Sequence, residues 1–186
     1  MFKDLLRKIG QKLSDSGLPY MVIGGQAVLL YGTPRLTKDI DITLGVNIEE
    51  LKTVLKVIEC LGLKVIPDDP EDFVKKTFVL PAQDMITGIR VDLIFSFTPY
   101  EKQAIERAKP VYFDDTAVMF SSVEDLIIHK IFAGRPRDIE DATVVMLKNP
   151  DFDRDYIEKW LKKLDNSMDS NEFSSRFAEI LHQIRK

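Results

Sequence analysis

Two short motifs constrain the fold of this chain more than any other part of its sequence. Val22–Gly25 is an apolar strand end followed by two glycines, and Asp39–Ile42 alternates acids with isoleucines. Successive side chains of a strand point to opposite faces, so Asp39 and Asp41 project together while the isoleucines face the core. Two carboxylates this close repel each other unless a cation neutralises them. The pair therefore predicts a divalent cation with oxygen ligands, and Mg²⁺ is the favoured ion.

The composition is that of an ordinary globular protein. The 186 residues, 45% of them hydrophobic, fit one or two small domains with a real core. The one cysteine, Cys60, cannot form an internal disulfide, and its apolar helical surroundings predict core packing in a reducing cytosol. No apolar run approaches the roughly 20 residues that span a bilayer. We therefore expect a cytoplasmic protein without a membrane partner.

Charge and histidine content exclude two further classes. A formal net charge of −4 argues against sequence-blind coating of nucleic acid, although a local basic patch could still hold a phosphate-rich partner. His129 and His182 lie far apart and lack partner cysteines, which argues against zinc.

Hydrophobic periodicity predicts a βαβα alternation followed by a mixed sheet. The expected elements of the first half are helix 3–16, strand 20–23, helix 24–31, strand 39–44, a helix capped by Asn47, strand 63–66, an acidic turn at 67–72 and extended stretches at 77–80 and 89–95. A helix over 100–108 and strands over 110–113 and 117–120 complete this part.

The pattern changes near Ser121. The segment Ser121–Glu124 has capping-box spacing, and helices are predicted over 138–147, 153–164 and 169–184. We expect an α+β fold with an α/β-like core: a mixed β-sheet flanked by helices over residues 1–120, and a helical C-terminal region packed on it over residues 121–186.

A third acid, Asp92, lies in the middle of the strand predicted over 89–95. An acid buried dry in a sheet costs several kcal/mol, so Asp92 should face solvent or a metal site, or pair with Arg90. If its strand neighbours that of Asp39 and Asp41, three carboxylates converge, as two-metal phosphoryl chemistry requires.

With these residues, the chain resembles the polymerase-beta-like nucleotidyltransferase superfamily. That signature is an apolar residue, Gly-Gly or Gly-Ser, a spacer and Asp-x-Asp, with a later third acid. The resemblance implies that Asp39 and Asp41 bind two Mg²⁺ ions, or Mn²⁺ in their place, and that Asp92 holds one ion and activates an acceptor hydroxyl. Gly24 and Gly25 would let a triphosphate approach a helix N-terminus. The Gly-Gly form lacks the hydroxyl that Gly-Ser offers to phosphate.

A second match resembles the AbiEii-like branch, which includes toxin components of toxin–antitoxin systems. It consists of Lys130 followed by an Arg-Asp-x-x-Asp motif that contains Arg137, Asp138 and Asp141. The resemblance implies that Lys130 neutralises the triphosphate while the two acids orient it or nearby arginines. Arg35 is a further candidate phosphate ligand. The alternative is an ordinary snorkelling lysine beside a solvated helix start.

The resemblance implies a metal-dependent nucleotidyltransferase. It would transfer a nucleoside monophosphate from an NTP to an acceptor hydroxyl, on RNA, protein or a small molecule, and release pyrophosphate. Two alternatives stay open. One is a non-catalytic nucleotide- or partner-binding module of a toxin–antitoxin system, with a cognate antitoxin as partner. The other is a hydrolase that uses the same acids with water as acceptor.

Overall fold

The computed structural model describes residues 2–34 and 36–184 of the chain. They belong to two compact units. The first comprises the described residues of Met1–Gln26 and Leu36–Ser121, and the second those of Ala27–Arg35 and Ser122–Lys186. The functional division into domains 1–120 and 121–186 stays a prediction.

The first unit contains the β-sheet and the helices that connect its strands along the chain. Its elements are α1 (Phe2–Asp15), β1 (Tyr20–Ile23), the start of α2 (Gly24–Tyr31), β2 (Asp39–Leu44), a 3-10 helix (Ile48–Glu50), α3 (Leu51–Cys60), β3 (Lys64–Val65), α4 (Pro70–Thr77), β4 (Val79–Gln83), β5 (Arg90–Phe95), α5 (Pro99–Glu106), β6 (Lys109–Phe113) and β7 (Thr116–Phe120).

The sheet has seven strands in the order β3-β4-β5-β2-β1-β7-β6. Strand β2 pairs in parallel with β5 and β1 with β7, while the other pairs are antiparallel. Central strands are buried because their alternate residues are large and apolar: Ile40, Ile42 and Val91 are fully excluded from solvent. The predicted α+β fold with a mixed sheet is confirmed.

The second unit is helical. It contains the rest of α2, together with α6 (Val123–Ala133), α7 (Pro136–Lys148), α8 (Arg154–Ser167) and α9 (Glu172–Ile184). A capping interaction begins α6, but one residue later than predicted: Ser122 Oγ, not that of Ser121, accepts a hydrogen bond from the Asp125 amide. The same hydroxyl donates to Asp125 Oδ2 at 2.6 Å, so the two residues fix this helix start.

Two other local predictions were wrong. The segment predicted as an acidic turn begins α4, because Asp69 accepts from the Asp72 amide and Pro70 occupies the first turn. Cys60, predicted to pack in the core, is exposed at the last position of α3. Within the described ranges, no helix combines the length and apolarity needed to cross a membrane.

Candidate active site

Strands β2 and β5 place the acids on one face of the sheet. Asp41 lies directly opposite Asp92, and Asp39 lies opposite Arg90. Opposite residues of a parallel pair share a face, so these four side chains emerge together. The strand of Asp92 is thus the immediate neighbour of the strand of Asp39 and Asp41. We call these three carboxylates the acid cluster.

A glycine allows the central acid to lie against the start of α2. Gly24 has a φ of +62°, in the left-handed region that side chains disfavour. A Cβ on Gly24 would also overlap Asp41 Oδ2. Two independent constraints therefore require glycine here. A Cβ on Gly25 would lie 3.0 Å from Thr37, so a side chain at this position would require Thr37 to shift slightly.

Two polar residues position the beginning of β2. Thr37 Oγ1 donates to the Asp39 carbonyl at 3.0 Å, and Gln26 Nε2 donates to the same carbonyl at 3.4 Å. Both side chains are buried. Sequence reasoning missed these residues. A threonine two positions before the acidic strand was the available signal, because such hydroxyls bond to nearby backbone groups.

Arg90 is the counter-charge of the acid cluster. Its Nε donates to Asp92 Oδ1 at 2.8 Å; the Arg90 side chain is 52% exposed and that of Asp92 17%. The hydrogen bond with Asp92 raises the pKa of the guanidinium most; partial burial opposes it, and the charges of Asp92, Asp39 and Asp41 add to it. All three carboxylates therefore act electrostatically on the Arg90 guanidinium.

The donor set fits an oxygen-liganded divalent cation. It consists of carboxylates alone, on adjacent strands in register, and one cation already experiences all three charges. Over residues 2–34 and 36–184, however, no three histidine, cysteine or acidic side chains are arranged as a ready-made metal site. The backbone thus brings the acids together, while the Asp92 side chain is turned to Arg90.

A second group of charges lies in the helical unit, and all of its members but the exposed Arg135 are buried. Lys130 Nζ on α6 donates to Asp138 Oδ1 and Asp141 Oδ2 on α7, each at 2.8 Å. Arg135 also donates to Asp138 through Nε. Burial by itself raises the pKa of Asp138, but the hydrogen bonds from Arg135 and Lys130 outweigh it and hold that pKa below its usual range. We call these four residues the ion cluster.

The ion cluster contains three of the residues predicted to bind nucleotide: Lys130, Asp138 and Asp141. Asp138 and Asp141 hold Lys130, which is the orienting arrangement that the resemblance implies. Contact of Lys130 with a triphosphate stays a prediction. Arg137 is exposed in the first turn of α7, and Arg35 lies outside the described residues. Sequence reasoning missed Arg135, three positions before Asp138, where an N-cap residue can reach the first turn.

The chain belongs to the family described as "Nucleotidyltransferase of unknown function (DUF6036)", whose model matches residues 2–185. The predicted nucleotidyltransferase class is thereby confirmed, while the AbiEii-like branch stays a prediction. No curated protein shows a significant sequence match to the chain.

Solved structures share the fold at low sequence identity. The solution structure of the antibiotic-resistance factor ANT(2'')-Ia is 18% identical, with a TM-score of 0.59 over 98% of this chain and 96% of that one. The crystal structure of ANT(2'')-Ia with adenylyl-2''-tobramycin is 17% identical, with a TM-score of 0.53 over 98% of each chain. An antigenic nucleotidyltransferase-like protein from Paracoccidioides brasiliensis is 16% identical, with a TM-score of 0.55 over 77% of this chain and 74% of that one.

Proposed function

We propose that the chain is a metal-dependent nucleotidyltransferase that transfers a nucleoside monophosphate from an NTP to an acceptor hydroxyl and releases pyrophosphate. One observation carries this proposal. Asp41 and Asp92 lie opposite each other on parallel strands, and the Asp41 carboxylate lies against the glycine at the start of α2. Metal-binding acids and a phosphate-binding helix start would then be adjacent.

Asp39, Asp41 and Asp92 would hold Mg²⁺, or Mn²⁺ in its place. The bound metal would neutralise phosphate charge and favour ionisation of the acceptor hydroxyl. Asp92 would take the proton of that hydroxyl through Oδ2 and hold the metal through Oδ1, the oxygen to which Arg90 donates in this structure. The acceptor oxygen then bonds to the α-phosphorus, and the bond from that phosphorus to the bridging oxygen breaks to release pyrophosphate.

Gly24 and Gly25 would let the triphosphate approach the backbone N–H groups of α2, whose dipole favours anions. We keep Arg35, Lys130, Arg137, Asp138 and Asp141 as proposed nucleotide-binding residues. Lys130 would offer phosphate the N–H that remains beside its two 2.8 Å carboxylate bonds, since an ammonium group has three donors.

A small-molecule hydroxyl is the acceptor we favour. One structural neighbour, ANT(2'')-Ia, was crystallised in complex with adenylyl-2''-tobramycin, in which an adenylyl group is joined to a small molecule. The net charge of −4 also disfavours long RNA as a partner.

A non-catalytic nucleotide-binding module, with an antitoxin as partner, is the second candidate. The observation that favours it is the hydrogen bond from Arg90 to Asp92, which leaves the proposed third ligand already paired.

Transfer of label from NTPs tests the proposal. The protein is incubated with cell lysate, Mg²⁺ and each α-³²P-labelled NTP, and the RNA, protein and small-molecule fractions are separated. We expect label in the small-molecule fraction, with pyrophosphate released in equal amount, and none of either when EDTA is present. Binding of NTPs without label transfer or pyrophosphate would favour the non-catalytic module. Pyrophosphate with free labelled NMP would indicate a hydrolase.

A further inference from the structure

Arg90 is a half-exposed guanidinium on the same strand face as the proposed metal ligands. We propose that Arg90 is an internal counter-cation that competes with the divalent metal ion for Asp92 and so weakens metal binding to the acid cluster. This inference rests on the proposed function, since it concerns the metal that the cluster would hold.

Geometry places Arg90 where it can compete. It lies two residues before Asp92 on β5 and directly opposite Asp39 on β2. Its Nε donates to Asp92 Oδ1 at 2.8 Å, so it uses an oxygen that would otherwise be available to a metal. Among the described residues, Asp92 is its one hydrogen-bonded side-chain partner.

Arg90 can also leave. Its side chain is 52% exposed, although that of Asp92 is only 17% exposed, so water can solvate the released guanidinium. A guanidinium cannot lose its proton in a protein, so its competition with metal persists at every physiological pH. Asp92 Oδ1 therefore becomes available to a metal ion when the Arg90 side chain moves into solvent.

Charge counting gives the direction of the effect. Removal of Arg90 takes one positive charge away from the acid cluster and frees Asp92 Oδ1. Both changes strengthen binding of a divalent cation. Loss of one exposed charge-assisted pair corresponds to about fivefold in affinity, and loss of the charge adds to it.

Manganese binding without nucleotide is the test, because it requires no turnover. Mn²⁺ is titrated into wild type, Arg90→Gln and Arg90→Lys, and free Mn²⁺ is measured by electron paramagnetic resonance. We expect the Kd for Mn²⁺ to fall at least about fivefold in Arg90→Gln. Arg90→Lys keeps the positive charge but lacks the guanidinium group, so its Kd for Mn²⁺ should lie between those of wild type and Arg90→Gln. A Kd for Arg90→Gln equal to or above that of wild type would overturn the proposal.

Two controls separate contact from general charge. Lys76→Gln removes a positive charge from the exposed Lys76–Asp72 pair on α4 and should leave the Kd unchanged. In an Asp92→Asn background, Arg90→Gln should lose most of its effect, because the acid for which Arg90 competes is gone. If Lys76→Gln tightened binding as much as Arg90→Gln, a nonspecific charge effect would replace the proposal.

The same titration separates the two proposals. If wild type binds Mn²⁺ but Arg90→Gln binds no tighter, only the role of Arg90 is overturned. If neither protein binds Mn²⁺ while circular dichroism shows both folded, the metal-dependent function fails, and the role of Arg90 fails with it.

Discussion

The acid cluster on the sheet and the ion cluster among the helices contain the same kinds of side chains in opposite settings. In the acid cluster, Asp39, Asp41 and Asp92 face Arg90, which is 52% exposed. The three acids are half-buried, and their charges lie within reach of solvent.

In the ion cluster, two acids meet two cations. The side chains of Lys130, Asp138 and Asp141 are only 8%, 4% and 8% exposed, whereas Arg135, the second cation, is 76% exposed. Buried charges persist in a fold when they are paired and hydrogen-bonded. A buried cluster in which the acids share a buried lysine therefore supports structure, whereas the more accessible acid cluster is suited to take up a cation.

The largest effect is expected from Asp41→Asn, which removes a charge from the acid cluster with little change in shape. Nucleotidyl transfer should fall on the order of 10³-fold or more, since loss of metal-assisted charge stabilisation costs several kcal/mol. The thermal midpoint should change little. Label transfer and thermal unfolding are measured on the same preparation. Full activity in the folded variant would refute the assignment of Asp41.

Lys130→Met should act on stability. It leaves the buried Asp138 and Asp141 carboxylates without their shared partner, which typically costs about 3–5 kcal/mol. Urea unfolding gives the free energy, and Lys159→Met, at an exposed position on α8, is the matched control. If both variants lost the same small amount of unfolding free energy, the ion cluster would not stabilise the fold.

Gly24→Ala should cost about 1–3 kcal/mol from backbone strain and, in addition, push the Asp41 carboxylate away. Gly62→Ala is the matched control, because Gly62 has a similar φ of +68° with nothing within 4 Å of its Cβ position. Both variants should lose stability, but only Gly24→Ala should lose Mn²⁺ affinity. Equal metal affinity in the two variants would show that the close approach of Asp41 has no role in binding.

The smallest effect concerns acid stability. The folded pKa of Asp138 lies below the usual 3.8, so its ionised form contributes stability that is complete above that value. The contribution is lost as pH falls through the folded pKa. Asp138→Asn should therefore differ from wild type most above pH 5, and the gap in unfolding free energy should shrink toward pH 3. A gap constant across this range would contradict the ionic pairing.

The acidic strand was predictable from sequence because its signal is local. Alternation of acid and isoleucine fixes which face Asp39 and Asp41 share, and β2 spans the predicted range, Asp39–Leu44. The convergence of three carboxylates was predicted only on the condition that β2 and β5 are neighbours. Strand pairing depends on contacts between residues far apart in the chain, which the local pattern does not reveal. The missed helix α4 had its signals in Asp69 and Pro70, but the surrounding acids favoured a turn.

The partners of charged side chains were harder to predict. Arg90 was one of three alternatives for Asp92, and only the placement of its Nε identifies the pair. The resemblance supplied the relation of Lys130 to Asp138 and Asp141, whereas the contribution of Arg135 depends on how α7 begins. Periodicity predicts faces of elements, and specific hydrogen bonds require the three-dimensional arrangement.

Nucleotide binding with and without metal tests the central claim most directly, because it needs neither the acceptor nor turnover. ATP, GTP, CTP and UTP are titrated into wild type and Asp41→Asn, with and without Mn²⁺. We predict that wild type binds at least one NTP only when Mn²⁺ is present, and that Asp41→Asn loses this binding while remaining folded. Equal binding by both proteins, or binding independent of Mn²⁺, would contradict the assignment of the acid cluster as a metal–nucleotide site.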